Sequence, residues 1–70
     1  MKIRINDDLR EVGNVRLMDA TGKMLGIISA DEALRLARSG GFDLVEVNPR
    51  ANPPLCRLMN FAKFRKPVRS

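Results

Sequence analysis

The sequence predicts an α+β fold in which a single helix covers one face of a four-stranded sheet. Three observations predict it. Two short apolar runs are joined by turn-forming residues; a helix-start signal leads into a stretch of helical apolar periodicity closed by Gly40-Gly41; and two further strand-like segments flank a proline-rich loop. At 70 residues the chain forms one small domain, whose core is a single layer of contacts.

Residues 1–14 read as an amino-terminal arm. Only Ile3, Ile5, Leu9 and Val12 are available to pack, Ile3 and Ile5 alternate with Lys2 and Arg4 as in a short edge strand, and Asn6-Asp7-Asp8 is turn chemistry. The core domain is expected over residues 15–60. Val15–Met18 and Met24–Ile28 form a hairpin across Asp19-Ala20-Thr21-Gly22-Lys23, with Gly22 supplying a positive φ and Asp19 bonding back to the amides of the turn. Gly26, inside the second strand, predicts a bulge or a close approach by the helix. Ser29-Ala30-Asp31-Glu32 fits a capping box, so the helix begins at Ala30. Ala30, Ala33, Leu34 and Ala37 line one face, widened by Leu36, while Asp31 and Arg35 are spaced for an ion pair on the wet face. Gly40-Gly41 ends the helix with a left-handed cap.

Phe42–Asn48 is strand-like, and its Val45/Val47 parity is expected to face the helix. Asn48–Pro54 holds three prolines and is a loop. Pro53 and Pro54 deny helix to the residues before them and donate no backbone hydrogen bond, so the last strand starts at Leu55, with Cys56 and Leu58 inward and Arg57 outward. Leu17 or Met18, Leu44, Leu55 and Met59 are then left for the uncovered face, to be covered in part by the arm or by a partner.

Net charge is +5, distributed as +1 over residues 1–29, −2 over 30–49 and +6 over 50–70, where no acidic residue occurs. Residues 61–70 form a basic tail in which Phe61 and Phe64 alternate with Lys63, Arg65 and Lys66, a mixture of cations and flat apolar faces suited to RNA. A solvated tail is the plain alternative. With three aromatic residues and neither Trp nor Tyr, RNA contact rests on backbone phosphate and shape rather than on a broad stacking platform.

No apolar run reaches the roughly 20 residues of a membrane span, and a cytoplasmic or other reducing interior suits the one cysteine. With no histidine, Cys56 has no histidine base to make it a nucleophile, and no cofactor, metal set or enzymatic activity is expected. Asp7 and Asp8 lack the further carboxylates that would complete a cation shell.

The ordered set Ile5-Asn6-Asp7-Asp8-Leu9-Arg10, Leu25-Gly26-Ile27-Ile28-Ser29, Glu32-Ala33-Leu34, Asp43-Leu44-Val45-Glu46-Val47 and Pro53-Pro54-Leu55-Cys56-Arg57-Leu58-Met59 resembles the amino-terminal domain of bacterial-type translation initiation factor 3. The resemblance runs from about Ile3 to about Phe64 and implies a β-grasp-like fold with a mixed sheet. It also implies binding to the small ribosomal subunit, on rRNA and platform proteins near the initiator tRNA, with a share in start-site selection. It implies as well a second, carboxyl-terminal domain acting with this one and not present in this sequence, so that a fragment is the expectation. Where the family has Tyr-Gly-Lys-aromatic, this sequence has Phe61-Ala62-Lys63-Phe64, and Pro67 interrupts a linker helix. The expected ribosome contacts are Arg57, Phe61, Lys63, Phe64, Arg65 and Lys66, with Arg50, Arg4 and Arg10 as outlying cations. The rival reading is a protein-interaction module that uses the sheet surface.

Overall fold

The computed structural model describes residues 3–61; Lys2 and the tail beyond Phe61 lie outside the described residues. Four strands form one sheet: β1 (Asn14–Met18), β2 (Met24–Ser29), β3 (Asp43–Asn48) and β4 (Leu55–Met59), with helix α1 (Ala30–Gly40) between β2 and β3. Their spatial order is β2-β1-β4-β3. β1 runs antiparallel to β2 and parallel to β4, and β3 runs antiparallel to β4, so the sheet is mixed, as the resemblance implied.

The amino-terminal segment is no loose arm. Asn6–Val12 is a 3₁₀ helix that buries Leu9 completely. Its i, i+3 eclipse puts Leu9 and Val12 on one side, and both pack into the main core. Asp8 fastens the first turn, its amide donating to the Ile5 carbonyl at 3.0 Å and its carboxylate accepting from the Ile5 amide at 3.3 Å. Before the helix, Ile5 bridges Val45, and the Glu46 amide donates to the Arg4 carbonyl, so the outer edge of β3 is partly paired.

The hairpin follows the sequence closely. One carboxylate oxygen of Asp19 accepts from the Thr21 amide at 2.9 Å, the Thr21 hydroxyl at 2.7 Å and the Lys23 amide at 2.9 Å, and Gly22 takes φ +96°. Gly26 marks a bulge. Leu17 pairs with Gly26 and Met18 with Met24, leaving Leu25 as the extra residue, while Gly26 sits at φ +107° with open space where a Cβ would project.

Helix α1 starts at Ala30, where the Ser29 hydroxyl accepts from the Glu32 amide at 3.0 Å. Only that half of the expected capping box appears among the described contacts. The Glu32 carboxylate instead lies 3.9 Å from Arg35, which also replaces the expected Asp31–Arg35 pair. At the far end the Phe42 amide reaches the Ala37 carbonyl at 2.8 Å and the Gly41 amide the Arg38 carbonyl at 3.2 Å, with Gly41 at φ +74°, a Schellman closure. Because that closure takes up Phe42, β3 begins one residue later than the pattern suggested.

The core lies between α1 and one face of the sheet. Val15, Leu17, Leu44, Cys56 and Leu58 meet Ala30, Ala33, Leu34 and Ala37, with Leu9 closing the layer. Fully burying an aliphatic side chain contributes about 1.5–3 kcal/mol, and this layer is the main favourable contribution set against the conformational entropy lost on ordering the chain. The parity expected for β3 is reversed. Leu44 faces the helix, Val45 is buried on the opposite face, and Val47 is 44% exposed beyond the irregularity between Glu46 and Asn48. Leu17 and Leu44 are therefore core, and Met18, Leu55 and Met59 alone of the expected residues fall on the face away from α1.

Candidate nucleic-acid interface

Arg57 stands on β4 between the inward Cys56 and Leu58, so alternation sends it to the sheet face opposite α1. One guanidinium nitrogen donates to the Ala20 carbonyl at 3.1 Å, tying the hairpin loop to the centre of the sheet, and the buried Nε has no hydrogen-bond partner among the described residues. A guanidinium carries five N–H donors, so Arg57 keeps capacity for a phosphate while serving the fold. Arg50 lies exposed in the loop, its amide held by the Asn48 carboxamide at 3.0 Å, with no carboxylate in ion-pair range among the described residues. Phe61 is half-buried, and its amide donates to the Asp43 carboxylate at 3.2 Å, which anchors the start of the tail beside the β3 end. Lys63, Phe64, Arg65 and Lys66 lie outside the described residues.

Arg4 and Arg10 occupy different surroundings. Arg4 forms a two-pronged pair with Glu46, Nε to Oε1 at 2.9 Å and Nη2 to Oε2 at 2.6 Å. Glu46 is the one charged side chain buried among the described residues, and Arg4 is its compensating charge, so a phosphate that drew Arg4 away would strand that carboxylate, while the guanidinium N–H groups outside the pair remain for an outside acceptor. The pairing also raises the Arg4 pKa, chiefly through the hydrogen bond to Glu46. Arg10 lies 3.6 Å from Asp7 on the helix side, and Arg38 reaches the same oxygen at 3.5 Å.

A charge asymmetry follows. On the helix side Arg10, Arg35 and Arg38 each face a carboxylate, whereas Arg16 and Arg57 on the open sheet face have none in ion-pair range among the described residues. Arg16 is a functional candidate that sequence reasoning missed. The signal was present, since Val15 and Leu17 point inward and alternation sends Arg16 the other way.

Cys56 is fully buried, and burial pushes its thiol up to about 11, with the nearby Glu46 carboxylate adding to the shift. That removes the thiolate a nucleophile needs. Among the described residues no group of three metal-ligating side chains converges, and no helix is long and apolar enough to cross a membrane.

The fold is a small mixed sheet with one helix, and among the described residues Arg16 and Arg57 stand on the open sheet face without a carboxylate in ion-pair range. The sequence matches the family described as translation initiation factor IF-3, N-terminal domain, over residues 5–67. The chain is 51% identical over 61 residues to translation initiation factor IF-3 of Pasteurella multocida (strain Pm70), a match covering 87% of this chain and 33% of the relative. It is 50% identical over 62 residues to that of Parvibaculum lavamentivorans, covering 89% and 35%, and 45% identical over 64 residues to that of Coxiella burnetii, covering 91% and 34%. The chain therefore belongs to the translation initiation factor IF-3 N-terminal domain family. It spans about a third of the length of these curated relatives.

Proposed function

We propose that this chain is a non-enzymatic docking domain of a translation initiation factor, one that binds the small ribosomal subunit near the initiator tRNA and contributes to start-site selection. The observation that carries the reading is the charge layout within a member of this family: residues 50–70 bear a net +6 with no acidic side chain. Phosphate contacts made by Lys63, Arg65 and Lys66, extended by Arg57 and Arg50, would release condensed counterions and hold the domain in register on rRNA. Phe61 and Phe64 supply the apolar faces between those cations. A second, carboxyl-terminal domain in the longer protein would raise affinity further, because linking two weak sites makes the second contact intramolecular.

Co-sedimentation with purified small ribosomal subunits tests this. The chain should pellet with subunits at low salt and be released steeply as salt rises, and reversal of Lys63, Arg65 and Lys66 to Glu should abolish pelleting. Undiminished pelleting of the triple variant would remove the tail as the docking surface.

A further inference from the structure

The two edges of the sheet are finished differently. The β3 edge is partly paired by the backbone of Arg4 and Ile5. β2 ends the sheet on the other side, with no further strand beyond it among the described residues. Protein edges are normally guarded by charge, proline or a bulge. β2, Met24-Leu25-Gly26-Ile27-Ile28-Ser29, has neither charge nor proline, and its bulge guards only the end near Leu25, leaving the stretch from Gly26 to Ser29 regular. Leu25 at the bulge is 44% exposed and Ile27 on the regular stretch 53%, and Arg16 stands opposite Ile27 on β1.

We propose that β2 is a strand-addition edge that takes an extended segment of a partner protein in which aliphatic and acidic residues alternate. The backbone of Gly26–Ser29 supplies the ladder, Leu25 and Ile27 supply the apolar contact, and Arg16 meets the acid. The chemistry of β1 and β2 selects this occupant. Neither strand holds an aromatic residue, so unpaired RNA bases have nothing there to stack on, whereas aliphatic surface gains from contact with another protein. Neither strand holds a carboxylate, so Arg16, with none in ion-pair range among the described residues, favours an anionic partner, and a second copy of this chain would bring only its own Arg16.

The test is independent of the ribosome. The isotope-labelled chain is titrated by NMR with a synthetic peptide of alternating Val and Glu, about eight residues long to match a strand, and with its Val-Lys counterpart. The Val-Glu peptide should give saturable shifts centred on the Gly26–Ser29 amides and Arg16. Ile27→Lys, at an exposed position that leaves the core intact, should weaken binding by at least about tenfold, and Arg16→Glu should transfer the preference to the Val-Lys peptide. Equal response to both peptides, no response at β2, β2 shifts produced by oligouridylate instead, or β2 shifts that appear on concentrating the chain alone would each overturn the proposal. Loss of ribosome pelleting with an intact peptide response would count against the docking reading only.

Discussion

At the scale of single residues, Cys56 serves the fold. Its thiol titrates only at about 11, so at pH 8 its reaction with an aromatic disulfide reagent should run roughly 100-fold or more slower in the native chain than in urea. The same shift carries a pH dependence. Above about 8.5 the unfolded thiol ionises while the folded one does not, the folded state then holds more protons, and stability should fall as pH rises through that window toward 11. Asp19 works in the opposite sense. The Thr21 hydroxyl, then the Lys23 amide, hold its carboxyl below the usual carboxylate value, so its contribution to the loop is full above about pH 4 and is lost as pH falls through the depressed value. The Thr21 and Lys23 amide resonances should therefore keep their native positions down to about pH 4 and move only in stronger acid; movement near pH 5 would contradict the geometry.

At the scale of elements, helix α1 was legible from end to end because its signals are local. Ser29 caps it, Ala33, Leu34 and Ala37 mark its buried stripe, and Gly41 closes it. Gly41→Ala places a side chain at φ +74° and should cost about 1 kcal/mol in urea denaturation without changing the denaturant slope. The hairpin was equally readable, since Asp19, Gly22 and the bulge at Gly26 act over a few residues. The strand after the helix was not. Leu44, Val45, Glu46 and Val47 give two apolar parities of similar weight, and composition alone cannot say which faces α1. The bridge from Ile5 and the salt bridge to Glu46 come from residues some 40 positions away, and they bury Val45 and Glu46 where a free edge would have exposed them.

At the scale of the whole molecule, the segment read as an arm contributes to the core. Leu9 is fully buried, and Arg4 at 41% side-chain exposure compensates Glu46 at 3%. Leu9→Ala should destabilise the fold by about 3 kcal/mol through the cavity it leaves. Arg4→Ala should also destabilise the fold, by leaving the Glu46 carboxylate buried without its partner, and by less than the loss of a fully buried pair because solvent screens the arginine. Both losses should appear as a single cooperative shift of the denaturation midpoint. A separate early transition confined to the first residues would mean that the segment is a true arm. The candidate interface has the same two origins. The basic excess of residues 50–70 is visible in the chain, while the commitment of Arg4 to Glu46 and the isolation of Arg16 depend on what the fold places beside them.

By itself the sequence determined the kind and order of the four strands and α1, the Ser29 and Gly41 ends of that helix, the hairpin turn, the inward Cys56 and Leu58, and the concentration of positive charge at the carboxyl end. Each of these arises from neighbours a few positions apart. Only the tertiary structure decided which parity of β3 meets α1, that residues 6–12 join the core, and which arginines stand without a carboxylate in ion-pair range among the described residues. Those outcomes depend on contacts between residues distant in the chain, and local propensity carries no information about them.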